Sequence, residues 1–372
     1  MLQKVVIILT ALLGIACIAM YFVLQQNNPQ TSGSGTTQNF VVLQLDTSLL
    51  GALTHWNDGI IAGNARGELR MFADLQPGAE PQVYPVAPYP IVAPVFEHDG
   101  VFYVGDTNGR FFAFDPATGV KWSYKTYNQI TGSAIWCDGK IIVGSHDSTL
   151  YALDPDTGEL TYSVECNAEI NGSPLFLESQ HSIVFGSCDG LLRKIDVRTG
   201  NIIAEIDFEA YIPGTPALFD GILYLLTRSF GEPMDDGTES QGELAAVDAE
   251  SFELLWRVPT KDMYLTSPYA TNEHLFLTDE RGKINVHSRY NGSPITTLAT
   301  DDKMTPLQTG DDSRVFAVSL GGKLYEWQRD NDQWHPSLLA DLQTDCKRSG
   351  QLLGNKLIVA DDNGGLFYMD VP

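Results

Sequence analysis

The chain is short of basic residues, of cysteines and of catalytic signatures, and each shortage excludes something. Its 372 residues carry 23 Lys and Arg against 47 Asp and Glu, a formal charge of −24. So acidic a surface repels phosphate backbones and anionic lipid headgroups, which argues against nucleic-acid binding. Basic partners and divalent cations are the charge-compatible ones. Only five cysteines are present, with no Cys-x-x-Cys pair and no histidine beside them at metal-ligand spacing, so no metal site is written in locally. There is no Walker loop, no G-x-G-x-x-G, no G-x-S-x-G elbow and no H-E-x-x-H. The seven histidines are scattered, and no two form a local ligand pair. No catalytic residue and no metal ligand is assigned from the sequence.

The first thing the chain does have is an uncharged apolar run, residues 5–24, following Lys4. Twenty residues of helix at about 1.5 Å each span roughly 30 Å, the hydrocarbon thickness of a bilayer. The run predicts a transmembrane signal-anchor helix over 5–24 within an anchor of residues 1–26. Lys4, the one charge near either end, keeps the N-terminus in the cytoplasm. The expected location is therefore the bacterial cell membrane, crossed once, with the remainder in the periplasm. A lipoprotein anchored at Cys17 is the alternative, on the strength of Leu13-Gly14-Ile15-Ala16-Cys17. Against it, Gly14 stands where such a signal carries Leu, and the apolar run continues through Ile18, Met20, Phe22 and Leu24. A cleaved signal peptide has a shorter apolar region. Residues 27–38 (NNPQTSGSGTTQ) read as a flexible polar linker. In an oxidising periplasm Cys137, Cys166, Cys188 and Cys346 allow one or two disulfides, with buried free thiols as the alternative.

Residues 39–372 are one unit repeated. An apolar run, a turn with Gly, Asp or Asn, a second apolar run and a closing Asp recur, as in VFYVGDTNGRFFAFD ending at Asp115 and KIIVGSHDSTLYALD ending at Asp154. Eight copies close at Asp74, Asp115, Asp154, Asp196, Asp248, Ser288, Gln328 and Asp370, at spacings of 41, 39, 42, 52, 40, 40 and 42 residues. Spacing near 40 with aromatic and β-branched strands predicts an all-β, eight-bladed propeller of four-stranded blades. The last copy stops where its fourth strand should begin, and Phe40–Asp46 is a spare strand that would complete it and close the ring.

Two further markers recur. Small tripeptides such as Gly132-Ser133-Ala134, Gly172-Ser173-Pro174 and Gly214-Thr215-Pro216 suit crowded inner strands. At the closing turns stand Asp115 with Thr118-Gly119, Asp154 with Thr157-Gly158, and Asp196 with Thr199-Gly200. There the carboxylate accepts from backbone N–H groups and glycine supplies a positive φ. Trp122, Tyr162 and Trp256 follow such turns, where they can pack between blades. All these positions read as structural.

The markers resemble the PQQ-type, or quinoprotein-like, repeat, A-x-D-x-x-T-G-x-x-x-W. Ala246-x-Asp248 through Trp256 keeps its length with Ser251-Phe252 in place of Thr-Gly, and Ala113-x-Asp115-x-x-Thr118-Gly119 reaches Trp122 one residue early. The resemblance implies a propeller over residues 40–372. Quinoprotein dehydrogenases of this type are much longer and carry an adjacent Cys-Cys pair and a calcium site. This chain has no such pair and no spare length. In length and plan it is more similar to the BamB family of outer-membrane assembly factors. That similarity implies a non-catalytic, cofactor-free, periplasmic protein-binding scaffold in envelope or outer-membrane protein assembly. The alternative is a propeller binding PQQ or another small ligand, with oxidoreductase activity. One feature breaks the repeat: the 52-residue interval contains Phe230–Gln241, with Glu232, Asp235, Asp236 and Glu239 and no basic residue. These four are the candidate contacts for a basic partner surface.

Overall fold

The computed structural model describes residues 41–371 except 58, 74, 77, 78, 230–240, 263, 265, 299 and 308. The predicted anchor and linker, and the acids at 232, 235, 236 and 239, lie outside the described residues. Among the described residues no helix is long and apolar enough to cross a membrane, and the one helical turn is the 3₁₀ segment Glu178–Gln180.

Why the middle strands are so apolar follows from what covers them. In blade 2 the strands Phe96–His98, Val101–Gly105, Arg110–Asp115 and Gly119–Lys125 pair in order. The second and third are almost wholly buried, whereas the fourth alternates and is mostly exposed. A sheet packed on both faces demands near-continuous apolar runs such as VFYVG, and only its outermost strand can alternate. Seven further four-stranded antiparallel sheets repeat this order along residues 41–371.

The interior is accordingly a set of seams between successive blades. Tyr103, Phe111 and Trp122 of blade 2 pack with Ile141, Val143, Tyr151 and Leu153 of blade 3. The same pattern joins the last blade to the first: Leu43, Ile358 and Tyr368 pack with Ile60, Ala62 and Phe72. Closure is direct. Val41–Gln44 pairs antiparallel with Gly365–Asp370, in the register Val41↔Tyr368 to Gln44↔Gly365, and is the fourth strand of blade 8. A ring closed in this way leaves no blade without a neighbour.

Two blades depart from the repeat. In blade 5 the longer interval adds a small ladder, Ala210–Tyr211 with Arg228–Ser229, ahead of the undescribed insertion. In blade 7 the third strand does not end at Gln328. It runs from Lys323 to Asp330 and turns at Asn331-Asp332, both with positive φ (48° and 62°), into Gln333–Asp341. Two consecutive left-handed residues make the tight hairpin whose twist matches its strands. That turn needs no aspartate staple, which is why the closing Asp is absent there.

Candidate functional site: turn staples, inner ring and blade seams

The closing turns come first. Asp115 accepts from the Ala117 N–H at 2.8 Å and the Thr118 hydroxyl at 3.0 Å. Asp154 accepts from the N–H groups of Asp156 and Thr157, Asp196 from those of Arg198 and Thr199, and Asp248 from those of Glu250 and Ser251, at 2.7–3.0 Å. The backbone N–H bond of Ala117 leads in holding the Asp115 carboxyl below its usual range, as expected where the charged form is the one bonded. These aspartates are engaged by their own turns.

The glycines in the same turns do more than bend the chain. Gly158 has φ +72°, and a Cβ there would lie 2.6 Å from the ring of Trp122 on the preceding blade. Trp122 also donates its indole N–H to the Pro155 carbonyl at 2.8 Å. Gly200 meets Tyr162 in the same way, and Gly292 meets Trp256. Each aromatic is therefore clamped by the next blade's turn. In the seam between blades 4 and 5 both partners are exchanged. Ala204 stands where the aromatic would be, and Phe252, at φ +58°, stands where the glycine would be. The Phe252 side chain is buried in the cluster that Ala204 packs against. A ring supplied from one side replaces a ring supplied from the other. Lys194 fastens the same seam, donating to the carbonyls of Ala249 and Glu250 at 3.0 and 2.9 Å.

The small tripeptides form an inner ring. A Cβ on Gly132 would lie 2.6 Å from the Gly172 carbonyl oxygen, and one on Gly172 2.7 Å from Gly214. No side chain fits between such neighbours. The middle residue of each tripeptide adds a hydrogen bond that the sequence did not announce. Ser133 N–H donates to Ser173 Oγ at 2.8 Å, Ser173 N–H to Thr215 Oγ1 at 2.7 Å, and Thr215 N–H to Ser267 Oγ at 3.0 Å. The recurrence of Ser and Thr at one position was the signal for this relay from Ser133 to Ser267.

These bonds tie four successive tripeptides together, while Thr266 Oγ1 and Asn171 Oδ1 stay buried without a partner. Among the described residues no three His, Cys, Asp or Glu lie close enough to hold a metal ion. His146 is taken by Gln129 and Thr131, and His274 by Asp312. Cys137, Cys166, Cys188 and Cys346 are all free thiols. Burial pushes Cys137 and Cys346 up to about 12 and Cys166 and Cys188 up to about 11, which leaves them protonated and weakly nucleophilic.

Open space occurs instead at the outer seams. A cleft of about 460 Å³ lies between blades 2 and 3, lined by Tyr124, Tyr127, Asp147, Tyr151 and Glu165 among others. A second, of about 490 Å³, lies between blades 5 and 6, where Asn285 donates to the Tyr264 hydroxyl at 2.9 Å beside His287 and Ile295. Nothing local in the sequence marks either cleft, since each is made of residues from two repeats.

Ring closure, blade plan and turn chemistry define an eight-bladed propeller of PQQ-type repeats. Residues 128–203 match the family described as outer membrane protein assembly factor BamB, and the propeller as a whole resembles BamB. BamB from Moraxella catarrhalis superposes with a TM-score of 0.69 at 18% identity, covering 89% of this chain and 98% of that one. The computationally designed Ika8 protein (TM-score 0.70, 15% identity, 88% and 98% covered) and Saccharomyces cerevisiae Sqt1 (0.72, 13%, 91% and 100%) share the architecture equally well. At these identities the likeness is one of fold. No curated protein matches the sequence closely enough to count as a relative.

Proposed function

We propose that the chain is a non-catalytic protein-binding scaffold of the bacterial envelope, acting in outer-membrane or envelope protein assembly. In this reading residues 5–24 tether it to the membrane and the propeller works in the periplasm. The observation that carries the proposal is the outer face of the ring. The fourth strands begin with exposed aliphatic residues, namely Val120, Leu160, Ile202 and Ile203, Leu254 and Leu255, and Ile295. Each fourth strand also ends its sheet. Sheet edges with apolar side chains offer both backbone and side-chain contacts to an extended partner. The matched family points in the same direction. The formal charge of −24 favours a partner with a basic surface, and Glu232, Asp235, Asp236 and Glu239 in the blade 5 insertion are the acids assigned to meet it.

The test is purification of the full-length protein from its native membrane after mild cross-linking. A reproducible partner near one-to-one stoichiometry is expected; a solitary protein would overturn the scaffold reading. Replacing the four acids with Ser and Asn should lower partner recovery at physiological salt, and unchanged recovery would remove the insertion from the interface.

A further inference from the structure

Two neighbouring seams share one frame and fill it differently. In the seam between blades 3 and 4 the frame holds Arg193, whose side chain is 4% exposed. Its Nη1 and Nη2 donate to the two oxygens of Asp189 at 3.0 and 2.7 Å, and Nη1 also donates to Ser187 Oγ at 2.7 Å. Glu205 lies 2.9 Å from its Nε. This is the planar, charge-assisted fork that guanidinium makes with carboxylates.

One seam earlier, Asp147 occupies the place of Asp189. It accepts from the N–H groups of Tyr127 and Thr149 at 2.7 and 3.2 Å, just as Asp189 accepts from those of Asn167 and Leu191 at 3.0 and 3.1 Å. Strand register puts Tyr151 opposite Ser163 where the next blade has Arg193 opposite Glu205. Here the described lining contains no guanidinium, and the cleft of about 460 Å³ remains. The Tyr151 hydroxyl donates to one oxygen of Asp147 at 2.8 Å. That bond leaves acceptor capacity on the other oxygen, since a carboxylate offers about four lone-pair sites. Glu165 is exposed on the fourth strand, and no ion pair involves it among the described residues. Lys125, the lysine in the lining, donates its ammonium to the Asn108 carbonyl. Tyr127 stands 93% exposed at the rim.

We propose that this cleft receives a guanidinium in trans, the arginine side chain of a basic partner segment, held by Asp147 and Glu165 and faced by the rings of Tyr124, Tyr127 and Tyr151. Tyrosine faces attract a cation within about 6 Å of the ring centroid. The clasp one seam away shows that the frame suits a fork rather than a point charge, which selects arginine over lysine. That the occupant belongs to a protein rests on the scaffold reading.

The experiment titrates the full-length protein with N-acetyl-arginine-amide, with its lysine counterpart, and with the uncharged, near-isosteric citrulline counterpart. Saturable binding of the arginine compound, weaker binding of lysine and none of citrulline are expected. Glu165→Gln should weaken arginine binding about tenfold. The pair Tyr151→Arg with Ser163→Glu rebuilds the neighbouring clasp from within and should abolish binding. Equal binding of arginine and citrulline compounds, or affinity unchanged in both variants, overturns the proposal. Cross-linking of the same variants separates the two readings. A partner recovered alike from all of them, with no arginine binding, sinks the cleft and leaves the scaffold. Arginine binding that the variants lose, with no partner recovered from any, sinks the scaffold and leaves the cleft.

Discussion

Phe252 shows how a single residue can depart from a repeat without loss. Its backbone sits in the left-handed region, at a cost of about 1–2 kcal/mol for a side-chain-bearing residue, because its ring fills the space that Ala204 leaves. The exchange predicts a coupled pair. Ala204→Trp alone should overpack the seam and cost about 1–3 kcal/mol. Phe252→Gly alone should cost roughly 1–4 kcal/mol, the lost ring less the relieved backbone strain. The double variant recreates the arrangement of Trp122 with Gly158 and should be destabilised by less than the sum of the two. Urea unfolding of all four proteins measures the coupling; simple additivity would show that the two positions are independent. The sequence named Trp122, Gly158 and Trp256 as structural positions. The reason for the Ser251-Phe252 departure is a contact across 48 residues, which no local pattern carries.

At the scale of the element, each blade is held to the next by polar devices at its turns as well as by the seam core. One of them is the Asp189 clasp in blade 4, to which blade 3 donates the Asn167 N–H. Burial raises the Asp189 carboxyl, but hydrogen bonds from Arg193, Ser187 and the N–H groups of Asn167 and Leu191 outweigh it and hold the group at about 2. An unfolded aspartate titrates near about 3.9. The folded value lies lower, so the clasp's contribution is complete above about pH 4 and is lost as pH falls toward about 2. The turn aspartates Asp154, Asp196 and Asp248 are lowered in the same direction and add to that slope. Melting temperature should therefore fall between about pH 4 and pH 2. Asp189→Asn should melt lower than the parent at pH 7 and show a shallower fall. A parent curve that is flat over that range would remove the clasp from the stability of the ring. The Asp-x-x-Thr turns were legible because they are closed within five residues. The Arg193 clasp was not, because Asp189, Arg193 and Glu205 stand on a turn and two strands whose register had to be known first.

The whole molecule is stabilised by closure. Val41–Gln44 supplies the last blade with its outer strand, and the seam it helps to cover joins residues from both ends of the propeller. Deleting residues 40–46 should strip blade 8 of that strand, expose the Leu366 and Tyr368 face and collapse cooperative unfolding. Differential scanning calorimetry of the deletion variant is the check, and an unchanged transition would mean that the ring does not depend on this strand.

Blade number, strand order and the closing strand could all be read from the chain alone. They follow from a spacing near 40 residues, from apolar runs that buried strands require, and from a spare strand at the start matched by a missing one at the end. Folding added the partnerships across seams: Trp122 on Gly158, Phe252 opposite Ala204, the hydroxyl relay of Ser173, Thr215 and Ser267, and the open frame beside Tyr151. Each joins residues of different repeats. Local periodicity fixes which face of a strand is buried, but only the packing of one sheet on the next determines what that face meets.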